Sequence, residues 1–518
     1  MTARTIMVQG TASHVGKSVL VAALCRIFYR DGYRVAPFKS QNMALNSYVT
    51  ADGGEMGRAQ VVQAEAAGLE PSVDMNPVLL KPTGQASSQV IVLGRPVGNL
   101  SAWEYHRSYA QQAWDVICQA LERLKNTYDI VVIEGAGSPA EVNLQATEIV
   151  NMRVAAQAEA PVLLTADIDK GGALAAVVGT LELLPPADRQ RVAGIIINKF
   201  RGDLSLFQPA VDFLEKRTGL PVVGVVPYFD SFAIQEEDTV SEATLAQSRQ
   251  TVGRDLEIAV IHLPHISNFT DFDPLAAEPD VHLRYVGRGT PLGNPDLIIL
   301  PGSKNTIEDL AYLQRSGLAG QIVQLSAAGT PVVGICGGFQ MLGRELHDPE
   351  RTESSIPCLN GLGLLDVITV FERDKITTRV EGMAAVADGL LEQCQSLPVS
   401  GYEIHMGRSR LGAGVRPAFV ITSSLGVVVE QPDGAISPDG MVLGTYIHGI
   451  FDQPAFRRQL LNNLRRRKGL MPLTDVALLT AAQQRQKDFD ALAEVVRGSL
   501  DMGLVYSLLG LPGPRRAV

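Results

Sequence analysis

Pro331-Val-Val-Gly-Ile-Cys-Gly-Gly-Phe-Gln-Met-Leu342 is an apolar run that stops at a cysteine, turns through two glycines and resumes with helix-forming residues. A β-strand that breaks at Cys-Gly-Gly and restarts as a helix is a nucleophile elbow. The sharp turn lifts the side chain clear of the backbone, and the glycines let a substrate come close. The following helix would direct its N-terminus at the Cys336 sulfur. The competing reading is a buried core cysteine, the common fate of a free thiol. Either way a strand–turn–helix implies an α/β domain around residue 336.

The bulk numbers narrow what surrounds it. A chain of 518 residues is too long for one ordinary core. With 46% hydrophobic and 19% charged residues, it is globular along most of its length. A formal charge of −10 argues against nucleic acid as a partner. The five cysteines (25, 118, 336, 358 and 394) include no Cys-x-x-Cys pair and are odd in number. That spacing fits a reducing cytoplasm better than a disulfide framework or a structural zinc site. The N-terminus reads as a short strand entering a glycine loop, not as a signal peptide, and no apolar run reaches the ~20 residues that span a bilayer.

Upstream, β-branched runs alternate with helix-like stretches at 5–8, 34–38, 130–133, 162–165, 194–197 and 222–226. This rhythm predicts a doubly wound parallel sheet. The first strand is followed by Gly10-Thr-Ala-Ser-His-Val-Gly16-Lys17-Ser18 and an apolar helix. Backbone N–H groups of such a loop cradle phosphate, the lysine neutralises charge, and a serine hydroxyl can join a Mg²⁺ shell. Gly10, Thr11, Gly16, Lys17 and Ser18 are therefore candidate ATP contacts, although five residues separate the glycines where the common loop has four. Ligands of open α/β sheets gather at strand ends. There Lys39 could hold a phosphate or a substrate carboxylate, and Asn198 could hold the nucleotide base or be a plain turn residue. Ser18, Asp52 and Glu134 are candidate Mg²⁺ ligands, with Glu134 the strongest. Glu55 reads as either a further ligand or a solvated acid, and Asp167 and Asp169 could orient the metal.

The polar stretch after Gln235 marks a boundary. The expected divisions are a synthetase domain over 1–235, a linker over 236–253, a second α/β domain over 254–456 and a helical tail over 457–518. In the second domain a strand ends in Pro301-Gly-Ser, whose N–H groups could form an oxyanion hole. His448 follows another strand and would be the base for Cys336, with His405 its rival. His262 and His265 suggest a metal pair, but no third ligand stands at suitable spacing, and structural or substrate-contacting roles are the better reading. The basic stretch Phe456–Gly469 reads as a solvated helix.

The longer phosphate loop resembles that of dethiobiotin synthetases, and Gly-x-Cys-Gly-Gly-x-Gln-x-Leu with a late histidine resembles class I glutamine amidotransferases. PFKSQNMALNS, IEGAGSPAEVNL, ISNFTDFDPL, GICGGFQMLG, GYEIHMG and YIHGIFD together resemble the cobyric acid synthase family along nearly the whole chain. The resemblance implies a P-loop NTPase-like domain that binds ATP and a corrinoid, and an amidotransferase domain with Cys336 as nucleophile and His448 as base. The implied activity is ATP-dependent, glutamine-hydrolysing amidation of corrinoid carboxylates in the cytoplasm. Cobyrinic acid a,c-diamide synthase is the near alternative, and a partition-type ATPase with a decayed second domain the distant one. Most amidotransferases place a glutamate two residues after the histidine, where this chain has Ile450. Asp452 or Glu403 would then orient His448, or the pair works as a dyad.

Overall fold

The computed structural model describes residues 2–83, 87–101, 104–105, 109–229, 253–474 and 480–515. Most of the expected linker, 236–253, lies outside the described residues. Contacts divide the chain into two units. One comprises Met1–Ala44 with the described parts of Gly54–Glu237 and Arg485–Val518. The other comprises Leu45–Gly53 with the described parts of Asp238–Gln484.

The first unit is built on a six-stranded parallel sheet in the order 222–227, 192–200, 162–167, 4–10, 130–134, 35–38. Its central strands are continuous apolar runs because both faces are covered. The helix Lys17–Arg30 buries Leu20, Val21, Leu24, Ile27 and Phe28. Four short strands, 41–43, 78–82, 87–92 and 95–101, form a separate small sheet. The last helices complete this unit: Phe489, Leu492, Val496 and Tyr506 enter the core containing Ile6, Leu24 and Phe28. Arg26 donates to Asp490 at 2.8 Å, and Asp501 N–H bonds Val223 O at 2.7 Å.

The second unit has a sheet in the order 281–286, 256–261, 297–300, 332–335, 442–445, 435–436, parallel except at its last pair. A mostly antiparallel sheet accompanies it, dominated by the long pair Val367–Ala384 and Pro398–Leu411. Two α/β units are thus the architecture of the chain.

The stretch after residue 456 does not act as one tail. Pro454–Arg467 is a helix of the second unit, whereas the helix Ala481–Ser499 from Arg485 onward and the helix Met502–Leu508 belong to the first. The expectation of a solvated basic helix is also overturned. Arg457, Arg458 and Arg465 are buried. Arg457 Nε meets Glu278 at 2.6 Å, Arg458 forks onto Asp280 at 2.8 and 2.9 Å, and Arg465 reaches Asp280 at 2.8 Å. The partner acids lie far upstream, so no local pattern could reveal them. Burial alone would raise the Asp280 carboxyl, but bonds from Arg458 and Arg465 bring it below its usual value. Removing one partner of a buried pair strands charge. Arg458→Ala is expected to cost about 3 kcal/mol, read as a lower urea midpoint at unchanged slope.

Candidate active site

Each unit places its chemistry at the carboxyl ends of its parallel strands, where open α/β sheets leave a crevice. In the first unit Gly16 has φ 93°, and a Cβ there would stand 2.2 Å from Asn198 Nδ2, so only glycine fits. Asn198 Nδ2 donates to Val15 O at 2.8 Å and Lys199 Nζ to His14 O at 2.7 Å, which braces the loop from strand 192–200, two strands away. Thr11 N–H bonds Thr165 O. Lys17 Nζ lies over the loop, 3.0 Å from Ala12 O and 3.2 Å from Gly137 O.

Glu134, at the end of its strand and almost fully buried, is the hub of this site. Its Oε1 accepts from Ser18 Oγ at 2.9 Å and from Lys39 Nζ at 2.9 Å, and its Oε2 accepts from Gln63 Nε2. Lys39 thus meets the carboxylate expected to bind metal. Asp52 belongs to the other unit, where Thr50 Oγ1 donates to it. Glu55 is not a solvated acid: it is buried and pairs with Lys81 at 2.8 Å. Asp167 caps Asp169 N–H at 2.9 Å and faces Lys199 at 3.4 Å, and Asp169 pairs with Arg201 at 3.0 Å. Among the described residues, no group of three or more His, Cys, Asp or Glu is placed to hold a metal.

In the second unit the strand Val332–Ile335 leads into Cys336 at φ 51°, ψ −108°, and the helix Gly337–Leu342 follows. This is the strained backbone of an elbow, which a bulky residue adopts only when its surroundings enforce it. The enforcement is visible. A Cβ on Gly338 would lie 2.0 Å from Leu300 O, so the helix start is pressed onto the adjacent strand. Cys336 N–H donates to Thr445 O at 2.8 Å, and Sγ lies 3.5 Å from Ile404 O.

Thr445 ends the strand that delivers His448. His448 is buried, and its Nδ1 lies 2.7 Å from Asp271 Oδ2. The other oxygen of Asp271 accepts Gly449 N–H at 2.9 Å. Burial opposes a charge on His448, but Asp271 and Cys336 outweigh it and raise its pKa to about 10. The ring edge also fits closely against the Pro301-Gly-Ser turn, since a Cβ on Gly302 would stand 2.9 Å from His448 Cε1.

Asp271 therefore holds the imidazole, not Glu403 or Asp452. Burial and the neighbouring Asp433 push Glu403 up to about 8, leaving it mostly neutral at pH 7 and a poor partner for imidazolium. Asp433 is itself raised to about 6 by burial, against bonds from Thr445 and Tyr446. His405 stacks on Tyr446 with centroids 3.7 Å apart, and its Nδ1 lies 2.8 Å from Gly407 O. Burial lowers its pKa to about 4. Ile450 is a core residue. His265 pairs with Asp309 at 2.8 Å, and burial lowers the pKa of His262. All five cysteines are free.

An α/β unit with a Gly-Lys-Ser loop, joined to one with a cysteine elbow and an Asp-held histidine, defines an ATP-dependent glutamine amidotransferase. Residues 6–240 match the CobQ/CobB/MinD/ParA nucleotide binding domain, and residues 257–456 match the CobB/CobQ-like glutamine amidotransferase domain. The chain is 58% identical to the cobyric acid synthase of Pelotomaculum thermopropionicum, over 99% of this chain and 98% of that one. It is 57% identical to that of Moorella thermoacetica over 99% and 98%, and 55% identical to that of Desulfitobacterium hafniense over 98% and 98%. The chain belongs to the cobyric acid synthase family: an ATP-dependent, glutamine-using amide ligase of cobalamin biosynthesis. Matches of this extent favour that family over a,c-diamide synthases and partition ATPases. No helix among the described residues is long and apolar enough to cross a membrane.

Proposed function

We propose that the chain amidates the b, d, e and g carboxylates of adenosylcobyrinic acid a,c-diamide, using ammonia released from glutamine at Cys336. The observation that carries the ammonia half is the buried Asp271–His448 pair one strand-end away from the strained Cys336. In this reading Cys336 Sγ attacks the glutamine side-chain amide, and His448, which holds the proton of the pair, gives it to the departing nitrogen. Gly337 N–H, in the first turn of its helix and without an intrahelical acceptor, would bond the tetrahedral oxyanion. Water then clears the glutamyl thioester as glutamate.

In the first unit, the loop from Gly10 to Ser18 would receive the ATP phosphates, with Lys17 neutralising charge as a phosphoryl group passes to a corrinoid carboxylate. Ammonia attacks that acyl phosphate, giving the amide and phosphate. The oxygen donors Ser18 Oγ and Glu134 suit Mg²⁺, with Lys39 and Gln63 fixing the carboxylate. When bound, the metal would draw charge from the phosphates. The substrates are small molecules, and the acidic charge of −10 supports neither nucleic acid nor an anionic membrane as a partner. The free cysteines support a cytoplasmic enzyme.

The test is stoichiometry. Purified protein is expected to form ADP only when the a,c-diamide acid and a nitrogen source are both present, at one ADP per amide. ADP formation indifferent to the corrinoid, or preferential amidation of cobyrinic acid at a and c, would sink the reading.

A further inference from the structure

Nine residues of the second unit come from the N-terminal half of the sequence. Leu45–Gly53 is packed within that unit, although the chain on both sides of it belongs to the first. Its place there is specific. Ser47 N–H donates to Asn268 Oδ1 at 3.0 Å. Asn268, in the left-handed region at φ 53°, starts the short helical turn Phe269–Phe272 that carries Asp271. The Tyr48 ring meets Tyr402 edge-on, with centroids 5.0 Å apart and planes at 66°. Tyr402 in turn stacks on His448 at 5.3 Å and 21°, and the two residues exchange backbone bonds of 3.1 and 2.9 Å. Val49 is buried in a cluster with Tyr402 and Ile404, and Ile404 carries the carbonyl that Cys336 Sγ meets at 3.5 Å.

The borrowed segment thus touches the support of each member of the Cys–His–Asp arrangement: the turn under Asp271, the ring under His448 and the strand beside Cys336. We propose that Leu45–Gly53 is a positioning element of the glutaminase site, with Tyr48 its principal side chain. The physical argument is order. Tyr402 is itself half of the wall that sets the tilt of the imidazole. An aromatic edge pressed on a ring removes its alternative rotamers, at about 0.5–1.5 kcal/mol for a pair beyond area burial. A small displacement of a catalytic ring lowers turnover steeply, because proton transfer needs the reacting atoms in line. The second unit therefore does not carry a complete glutaminase site within the sequence 253–484. It needs a strand contributed by the stretch that follows Lys39, a residue of the synthetase site.

This inference rests on Cys336 and His448 being the glutaminase pair. Tyr48→Ala, Tyr48→Leu and Tyr48→Phe are made in the full chain, with Cys336→Ala as control. Glutamine-supported and ammonium-supported amidation are then measured side by side. For Tyr48→Ala, kcat with glutamine is expected to fall about tenfold or more, with KM for glutamine within about twofold and the ammonium-supported rate unchanged. Tyr48→Leu, which keeps bulk and should fold if Tyr48→Ala does not, is expected to show the same split. Tyr48→Phe keeps the ring edge and is expected to restore the wild-type rate. Wild-type glutamine turnover in folded Tyr48→Leu overturns the proposal. So does an equal loss with both nitrogen sources, which would assign the segment to the synthetase reaction instead. Glutamine use surviving in Cys336→Ala would bring down the underlying site assignment, independently of Tyr48.

Discussion

Cys336→Ala is expected to abolish glutamine-supported amidation, by at least about 10⁴-fold in kcat, while ammonium salts continue to support the ATP-dependent reaction. The size follows from the chemistry: no other group in this site can form the thioester. Ile404 O is a backbone carbonyl, and the other four cysteines lie elsewhere, three of them with thiols raised by burial. The substitution itself is mild. Sγ lies 3.5 Å from Ile404 O and hydrogen-bonds His448, and alanine keeps the Cβ that the elbow already accommodates at φ 51°. Ammonium rescue makes the result diagnostic, because it shows that the phosphoryl-transfer unit is intact. Lys17→Ala supplies the converse control, with loss under both nitrogen sources and basal glutamine hydrolysis retained. Loss of ammonium-supported activity in a folded Cys336→Ala protein would overturn the two-site scheme.

How far the sequence could be read depends on where each feature's partners lie. The elbow is legible because its sequence cue is local: a β-branched strand, a cysteine, then two glycines, which must fit against Ser303 and Leu300. The phosphate loop is legible for the same reason, its glycine, lysine and serine being contiguous with the strand and helix that position them. Alternating apolar runs with helical intervals predicted two parallel-sheet units, and sheets in the orders found satisfy that rhythm.

Three features resisted because their partners are distant in sequence. Asp271 lies 177 residues from His448, inside a stretch whose only cue was an acid set between Phe269 and Phe272. A carboxylate flanked by residues that must be buried is the signal that could have found it, since a buried charge needs a partner. The arginines of Pro454–Arg467 looked solvated because Glu278 and Asp280, which neutralise them, stand some 180 residues earlier. Leu45–Gly53 carries nothing in its own composition to show that it packs with the second unit. Spacing rules read neighbours along the chain, and these are neighbours only after folding.

Asp271 also yields the second large effect. Asp271→Asn preserves the size of the side chain and can still accept from His448 Nδ1–H, but it removes the charge that sustains imidazolium. Glutamine hydrolysis is expected to fall by about 10²–10⁴-fold, the cost when an orienting carboxylate becomes an amide in comparable triads. Ammonium-supported amidation should not change. The pH dependence separates this from simple misfolding. Burial pulls the His448 pKa down, and Asp271 and Cys336 lift it to about 10. The other titratable neighbours cannot take over the role: Glu403 is pushed up toward neutrality, and His405 is held neutral by burial. Without the aspartate, His448 loses its proton at lower pH. The alkaline limb of Cys336 alkylation by a neutral haloacetamide, which follows that proton, should therefore move toward neutrality in Asp271→Asn. A profile superimposable on wild type, with undiminished glutamine turnover, would show that Asp271 supports the turn and not the imidazole. It would leave a Cys–His dyad as the working pair, as the isoleucine at position 450 first allowed.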